Sequence, residues 1–185
     1  GYQTDGRRLF LTNAVKPSSI KQHQSHYYLR LVTESFGSKA EDDLRIQSTI
    51  KEKENARKLL AKAGIKPEKS FMVINPGATY GGAKRWQEAR FATVADKLAK
   101  ELDFGVAIIG SESERTIGEK VCAHMETKAA VLSGKTSLET LVGLLSEASL
   151  IVTNDSGPMH IAAALGTPTV AVFGSTDSEV TSPVG

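Results

Sequence analysis

Two short stretches carry residues whose types and spacing suit chemistry. The first is TNDSGPMHIAAALG (153–166). An apolar run ends in Asp155-Ser156-Gly157-Pro158 and turns apolar again at helical length. Ser156 or Asp155 can cap the helix that follows, and Pro158 suits its first turn. The free N–H groups of such a helix start, with the helix dipole behind them, attract anions. An ordinary cap would use the same residue types, yet Asp-Ser-Gly-Pro is more polar than packing a strand-to-helix junction requires. His160 lies one turn in, where a half-buried helix histidine is the plain alternative. The second stretch is NPGATYGGAKRW (75–86). A glycine-rich loop with Lys84 and Arg85 at its end holds phosphate by backbone N–H groups and cations together. It misses the nucleotide-triphosphate P-loop. Ala83 separates Gly82 from Lys84, and Arg85 stands where Ser or Thr would bind magnesium. A solvated basic pair is the alternative for Lys84 and Arg85, and a core anchor for Trp86.

Other chemistries find less support. No G-x-G-x-x-G occurs, which weakens a nicotinamide reading, and no G-x-S-x-G elbow occurs. One Cys and four scattered His have no zinc-ligand spacing. Glu112 and Glu114 follow an apolar run and either reach the same rim or sit in a solvated loop. Glu139 falls in the first turn of a helix, where it satisfies the dipole. His23 and His26 read as surface or interdomain residues, and Cys122 as a small core residue. The single Cys cannot form an internal disulfide, which is consistent with a reducing compartment. In 185 residues, 23 Lys and Arg against 21 Asp and Glu leave a net charge of +2. That balance argues against nucleic acid as the main partner. No apolar run approaches the roughly 20 residues of a membrane-spanning helix.

The elements that must position these residues alternate. Apolar runs at 71–75, 105–110, 129–134, 150–154 and 168–174 read as strands. Helical patterns lie between and around them at 87–102, 113–125, 137–148 and 158–166, with Phe91, Val94, Ala95 and Leu98 inward on the first and Ser137 capping the third. Continuous apolar strands joined by helices predict an α/β fold, a parallel, doubly wound, Rossmann-like sheet covered on both faces. Ligands bind at the carboxyl ends of such strands. Those ends, NPGATYGG, GSESE, SGKTS, NDSGP and GSTDS, are rich in Gly, Ser, Thr and Asn. Upstream, 7–15 reads as a strand. The segment 18–37 reads as a helix capped by Ser18 or Ser19, stopped by Gly37, with Ile20, Tyr27, Leu31 and Phe36 on one face. A short extended piece near 44–47 precedes a charged helix ending at Gly64, and Pro67 closes that unit.

The combination of NPGATYGGAKRW, IIGSESE, GKTSLETLVGLLSEASLIVTNDSGPMHIAAALGTPTVAVFGSTD and the early GYQTDGRRLFLTNAV resembles the lipopolysaccharide heptosyltransferases of glycosyltransferase family 9. The likeness runs through nearly the whole chain. It implies a GT-B architecture, two Rossmann-like domains facing a cleft. Residues 1–40 would be the tail of the acceptor domain and 41–185 the donor-binding domain, cut short at its C-terminus. The chain would then be a fragment without the catalytic base, an Asp near the start of the full protein, and inactive alone. The resemblance further implies transfer of heptose from ADP-heptose to a lipid A-Kdo-heptose acceptor, with inversion, no metal cofactor, and a cytoplasmic location at the inner membrane surface. Lys84 matches a lysine near the donor diphosphate and sugar, and Thr79 lies on the same loop. Thr136 matches the segment that receives adenine, and Asp155 an acid that contacts the heptose. Lys84 and Asp155 are the pair expected to act in catalysis. Ser156, Gly157 and Met159 would offer N–H groups to the diphosphate, with His160 closing the turn. Either Glu112 or Glu114 would contact the ribose. A GT-B enzyme using a UDP-sugar, as transferase or epimerase, and a non-catalytic nucleotide-binding module remain alternatives.

Overall fold

The computed structural model describes residues 1–39, 43–66, 68–78 and 82–184. Five strands form one all-parallel sheet: β1 (Phe71–Asn75), β2 (Gly105–Ile108), β3 (Ala129–Val131), β4 (Leu150–Asn154) and β5 (Thr169–Val172). Their order is β3-β2-β1-β4-β5. The chain winds one way from β1 to β3 and then crosses back to β4, so the order reverses between β1 and β4. That reversal opens a crevice above the carboxyl ends of the two central strands. The register is tight there, with Ile74 opposite Val152 and Asn75 opposite Thr153. The loops after β1 and β4 therefore leave the sheet side by side.

Both sheet faces are covered, which is why the central strands read as unbroken apolar runs. Phe71, Val73, Ala107, Ile109 and Ile151 point to one face. There they meet Ala56 and Leu60 of α2 (Ile50–Lys62), Leu144 and Leu145 of α5 (Leu138–Glu147) and Ala162 of α6 (Gly157–Ala164). Met72, Ile74, Val106, Ile108 and Val152 point to the other. There they meet Phe91 and Ala95 of α3 (Glu88–Leu102) and Val121 of α4 (Arg115–His124). Each large apolar side chain buried here contributes about 1.5–3 kcal/mol. Ser137 caps α5, its hydroxyl accepting from Thr140 N–H at 3.2 Å. Thr49 and Glu52 form a reciprocal capping box on α2. Several ends are shorter than the apolar runs: β2 stops at Ile108, β3 at Val131, and α4 is preceded by a 3₁₀ turn over Glu112–Glu114.

The N-terminal segment departs from expectation. Residues 7–15 are not a strand: Arg7–Phe10 form a 3₁₀ turn, and Val15 makes a single bridge to Tyr2. Leu9, Phe10 and Leu11 are consecutive apolar residues without period-2 alternation, and a strand needs a neighbour for its backbone groups. Helix α1 starts at Gln24, not after Ser18 or Ser19, and ends at Phe36 before Gly37. Its cap is His23, whose ring nitrogen accepts from Ser25 N–H at 3.2 Å, while the Ser18 hydroxyl turns to Ile20 N–H. The expected apolar face is only half used. Tyr27 stacks on Tyr2, but Ile20 lies outside the helix and Phe36 is 79% exposed. Residues 44–47 are irregular, tied to α6 by Ile46 N–H donating to the Ala164 carbonyl at 2.9 Å. Pro67 lies outside the described residues. After β5, a short helix α7 (Ser178–Thr181) meets the N-terminal segment through Lys21, which is paired with Asp177 at 2.5 Å and Glu179 at 2.6 Å.

Candidate functional site

A cavity of about 390 Å³ opens above the carboxyl ends of β1, β2 and β4. Ser156 and Gly157, at the start of α6, line it beside Asn75, Glu114 and Thr136. Leu138 and Leu141 of α5 give it an apolar wall. One end is therefore polar and carries a helix N-terminus, while the other suits a flat apolar group.

The turn between β4 and α6 is built for openness. Ser156 occupies the cap position, yet its hydroxyl makes no cap hydrogen bond. Pro158 has no N–H to offer. Met159 N–H donates to the Ser156 carbonyl at 3.1 Å, and the Met159 side chain is fully buried. Met159 therefore belongs to the core, and its N–H is already engaged. Ser156 and Gly157 are left as the exposed donors of this turn.

Asp155 is 6% exposed; it directly precedes Ser156, but neither it nor Lys84 is among the residues lining the cavity. Lys84 Nζ donates to Asp155 Oδ2 at 3.0 Å. Burial pushes the Asp155 carboxyl up. The neighbouring Thr176 hydroxyl and the Lys84 ammonium outweigh it and hold the carboxyl below its usual range. Thr176 Oγ1 is itself buried and stands beside the carboxylate without hydrogen-bond geometry. Lys84 ends a 3₁₀ turn (Gly82–Lys84), and the next residue, Arg85, reaches the Ala78 carbonyl at 3.3 Å. Arg85 thus braces the loop. Trp86 is an anchor, its ring edge-on to Phe91 at 5.3 Å.

The two glutamates separate. Glu114 lines the cavity, and its Oε2 accepts from Ser111 N–H at 2.8 Å and Ser111 Oγ at 2.7 Å. The loop after β1 passes so close that a Cβ on Gly77 would stand 2.3 Å from Glu114 Oε1. Glu112 is outside the lining and pairs with Arg115 at 2.8 Å. His160 also points away, into a second cavity of about 310 Å³ beside Leu44, Ile46 and Val184. Thr79 lies outside the described residues. Glu139 is exposed in the first turn of α5. Cys122 is half-buried, its Sγ 4.0 Å from the Ala129 carbonyl. Among the described residues, no group of three or more His, Cys, Asp and Glu could hold a metal ion.

Sequence reasoning passed over Asn75 and Asn154, 3% and 0% exposed at the ends of β1 and β4. Asn75 Nδ2 donates to Thr153 Oγ1 at 2.8 Å and Ser156 Oγ at 2.7 Å. Asn154 Nδ2 donates to the Pro76 carbonyl at 2.8 Å, and its Oδ1 accepts from Trp86 N–H at 3.0 Å. The available signal was a polar residue closing each of two otherwise apolar strands.

Fold and site together define a doubly wound α/β protein with a cavity at its topological switch point. Residues 1–185 match the family described as glycosyltransferase family 9 (heptosyltransferase), and the chain belongs to that family. It is 32% identical over 184 residues to lipooligosaccharide heptosyltransferase 2 of Campylobacter jejuni, covering 98% of this chain and 54% of that protein. It is 36% identical over 124 residues to lipopolysaccharide heptosyltransferase 2 of Escherichia coli K12, covering 65% and 35%. The solved structure of E. coli ADP-heptose LPS heptosyltransferase II superposes with a TM-score of 0.79 at 28% identity, covering 99% of this chain and 58% of that one. A family 9 glycosyltransferase from Veillonella parvula gives 0.82 at 26%, covering 95% and 50%. The chain thus spans about half the length of these relatives.

Proposed function

We propose that the chain carries the donor-binding half of an inverting heptosyltransferase of the type II class, which moves heptose from ADP-heptose to the lipopolysaccharide inner core. The observation that carries this reading is the Lys84–Asp155 pair beside the open start of α6, at the β1/β4 switch point of a family 9 chain. Ser156 and Gly157 receive the diphosphate, with Lys84 as its cation. The wall of Leu138 and Leu141 receives adenine beside Thr136, and Glu114 rather than Glu112 meets the ribose. Asp155 binds heptose hydroxyls.

Breaking the anomeric C–O bond leaves growing negative charge on the departing diphosphate. Lys84 and the fixed N–H donors of the turn meet that charge more strongly than they meet the ground state, without a metal ion. Residues 1–40 belong with the acceptor domain and 41–185 with the donor domain. No described helix is long and apolar enough to cross a membrane. The lipid-linked acceptor places the reaction at the cytoplasmic face of the inner membrane.

Calorimetric titration with ADP, with UDP as control and magnesium left out, tests the donor site. Selective ADP binding is expected. A preference for UDP moves the chain to another GT-B enzyme, and a folded chain that binds neither overturns the donor-site reading.

A further inference from the structure

Asn75 and Asn154 end neighbouring strands, and each reaches across to the other's loop. Asn154, on β4, joins the Pro76 carbonyl and Trp86 N–H, the two ends of the loop that follows β1 and carries Lys84. Asn75, on β1, holds the turn that follows β4. Hydrogen-bond polarity fixes what Asn75 does there. The Thr153 hydroxyl donates to the Asn154 carbonyl at 2.8 Å, so toward Asn75 it accepts. The NH2 end of Asn75 therefore faces both hydroxyls, and Ser156 Oγ accepts as well. A serine at a helix start normally turns its oxygen onto the helix N–H groups. Here that oxygen is engaged by Asn75, the helix stays uncapped, and the Ser156 hydrogen is left to donate. Its nearest protein acceptor, the Asn154 carbonyl, is 3.3 Å away and already receives Thr153.

We propose that Asn75 and Asn154 are reciprocal positioning residues of the phosphate site. Asn154 closes the Lys84 loop against β4, and Asn75 holds Ser156 off its own helix so that Ser156 and Gly157 present donors, while the Asp155 carboxylate beside them is occupied by Lys84. Such a turn selects ligands rich in acceptor oxygens, a diphosphate above all. This inference rests on the donor-site reading.

The test is a double-mutant cycle read by ADP titration. Asn75→Ala and Ser156→Ala are each expected to weaken ADP binding about tenfold, because a hydrogen bond to a charged oxygen is lost. The double variant is expected to bind within about twofold of Ser156→Ala alone, since Asn75 acts through that hydroxyl. Losses that multiply, or an Asn75→Ala chain that binds as well as the parent, overturn the proposal. If Asn75→Ala does not fold, Asn75→Asp keeps the shape but accepts the Ser156 hydrogen. Measured with and without the Ser156 hydroxyl, its added charge cancels in the cycle. Hydrogen exchange gives a readout that needs no ligand. Asn154→Ala is expected to release the Trp86 amide, while Asn75→Ala leaves it protected. An unchanged Trp86 amide in Asn154→Ala overturns the Asn154 half. A parent chain that binds no ADP overturns the donor reading instead, and the clamp then stands or falls on exchange.

Discussion

Replacing Lys84 by Met tests whether the buried pair works as its geometry implies. The substitution keeps most of the side-chain volume and removes the cation. At 3.0 Å and an effective dielectric of about 20, the gross attraction is about 5.5 kcal/mol. Not all of it appears as lost stability. The stranded carboxylate can take up a proton, which at pH 7 costs a carboxyl of ordinary pKa 3.8 about 4.4 kcal/mol, and that caps the penalty. The Thr176 hydroxyl beside it softens the loss further. A destabilisation of about 2–3 kcal/mol is expected for Lys84→Met. Asp155→Asn is expected to cost less, about 1 kcal/mol. The ammonium it strands is 23% exposed and reaches water, whereas the carboxylate is only 7% exposed.

Urea melts at pH 7 and pH 5 separate this from a simple packing loss. In the parent chain the Asp155 carboxyl is held below 3.8, so the pair's contribution is complete across both conditions and fades only as pH falls through that depressed value. In Lys84→Met, burial acts without the cation and pushes the carboxyl up. Its penalty then shrinks by up to about 1.4 kcal/mol per pH unit as the proton is taken up. The stability gap between parent and variant should therefore narrow from pH 7 to pH 5. A gap constant with pH, or an Asp155→Asn variant as unstable as Lys84→Met, would refute the reasoning.

Gly77→Ala should weaken ADP binding several-fold with a modest stability loss of about 1–2 kcal/mol. Its Cβ would stand 2.3 Å from Glu114 Oε1 and drive that carboxylate off Ser111, so unchanged affinity by calorimetry would take Glu114 out of the site. Gly143→Ala should be among the most destabilising substitutions in the chain, costing about 3 kcal/mol by urea melt. Its Cβ would meet the Glu52 carbonyl of α2 at 2.1 Å, and a stable variant would show that α2 and α5 separate freely.

The sheet was readable because parallel strands buried on both faces carry their own signal. FMVIN and LIVTN are strands in full. The N-terminal segment was not readable in the same way. Leu9 and Phe10 are as apolar as any strand residue, but they are 91% and 86% exposed, and no periodicity said so. A histidine cap at His23 lies outside the usual capping set, so the cap of α1 was expected four or five residues early, at Ser19 or Ser18. Of the candidate site residues, Asp155, Ser156 and Thr136 stood out as small polar or charged residues just past apolar runs, and Lys84 as the cation that ends a glycine-rich loop. The direction of each was another matter. Whether Glu112 or Glu114 turns inward depends on a 3₁₀ turn, and the closed N–H of Met159 depends on the pitch of one helical turn. The Asn75–Ser156 bond spans 81 residues and exists only because β1 pairs with β4 in one register.

On the proposed function, the Lys84–Asp155 pair raises a question of charge. A buried carboxylate beside a phosphate site repels the ligand unless something neutralises it, and Lys84 can serve only one partner fully. A diphosphate arriving alone competes with Asp155 for Lys84 and leaves a carboxylate that is only 7% exposed less fully paired. A sugar attached to the diphosphate changes this, because its hydroxyls donate to Asp155 and release Lys84 to the phosphate. The pair then works as a check that favours the complete nucleotide sugar over the bare nucleotide left after transfer. Asp155→Ala removes the check. Its ADP affinity should hold or rise, since Lys84 is free from the start, while affinity for ADP-heptose should fall by an order of magnitude or more. Equal losses for both ligands would instead assign Asp155 to holding the turn in shape.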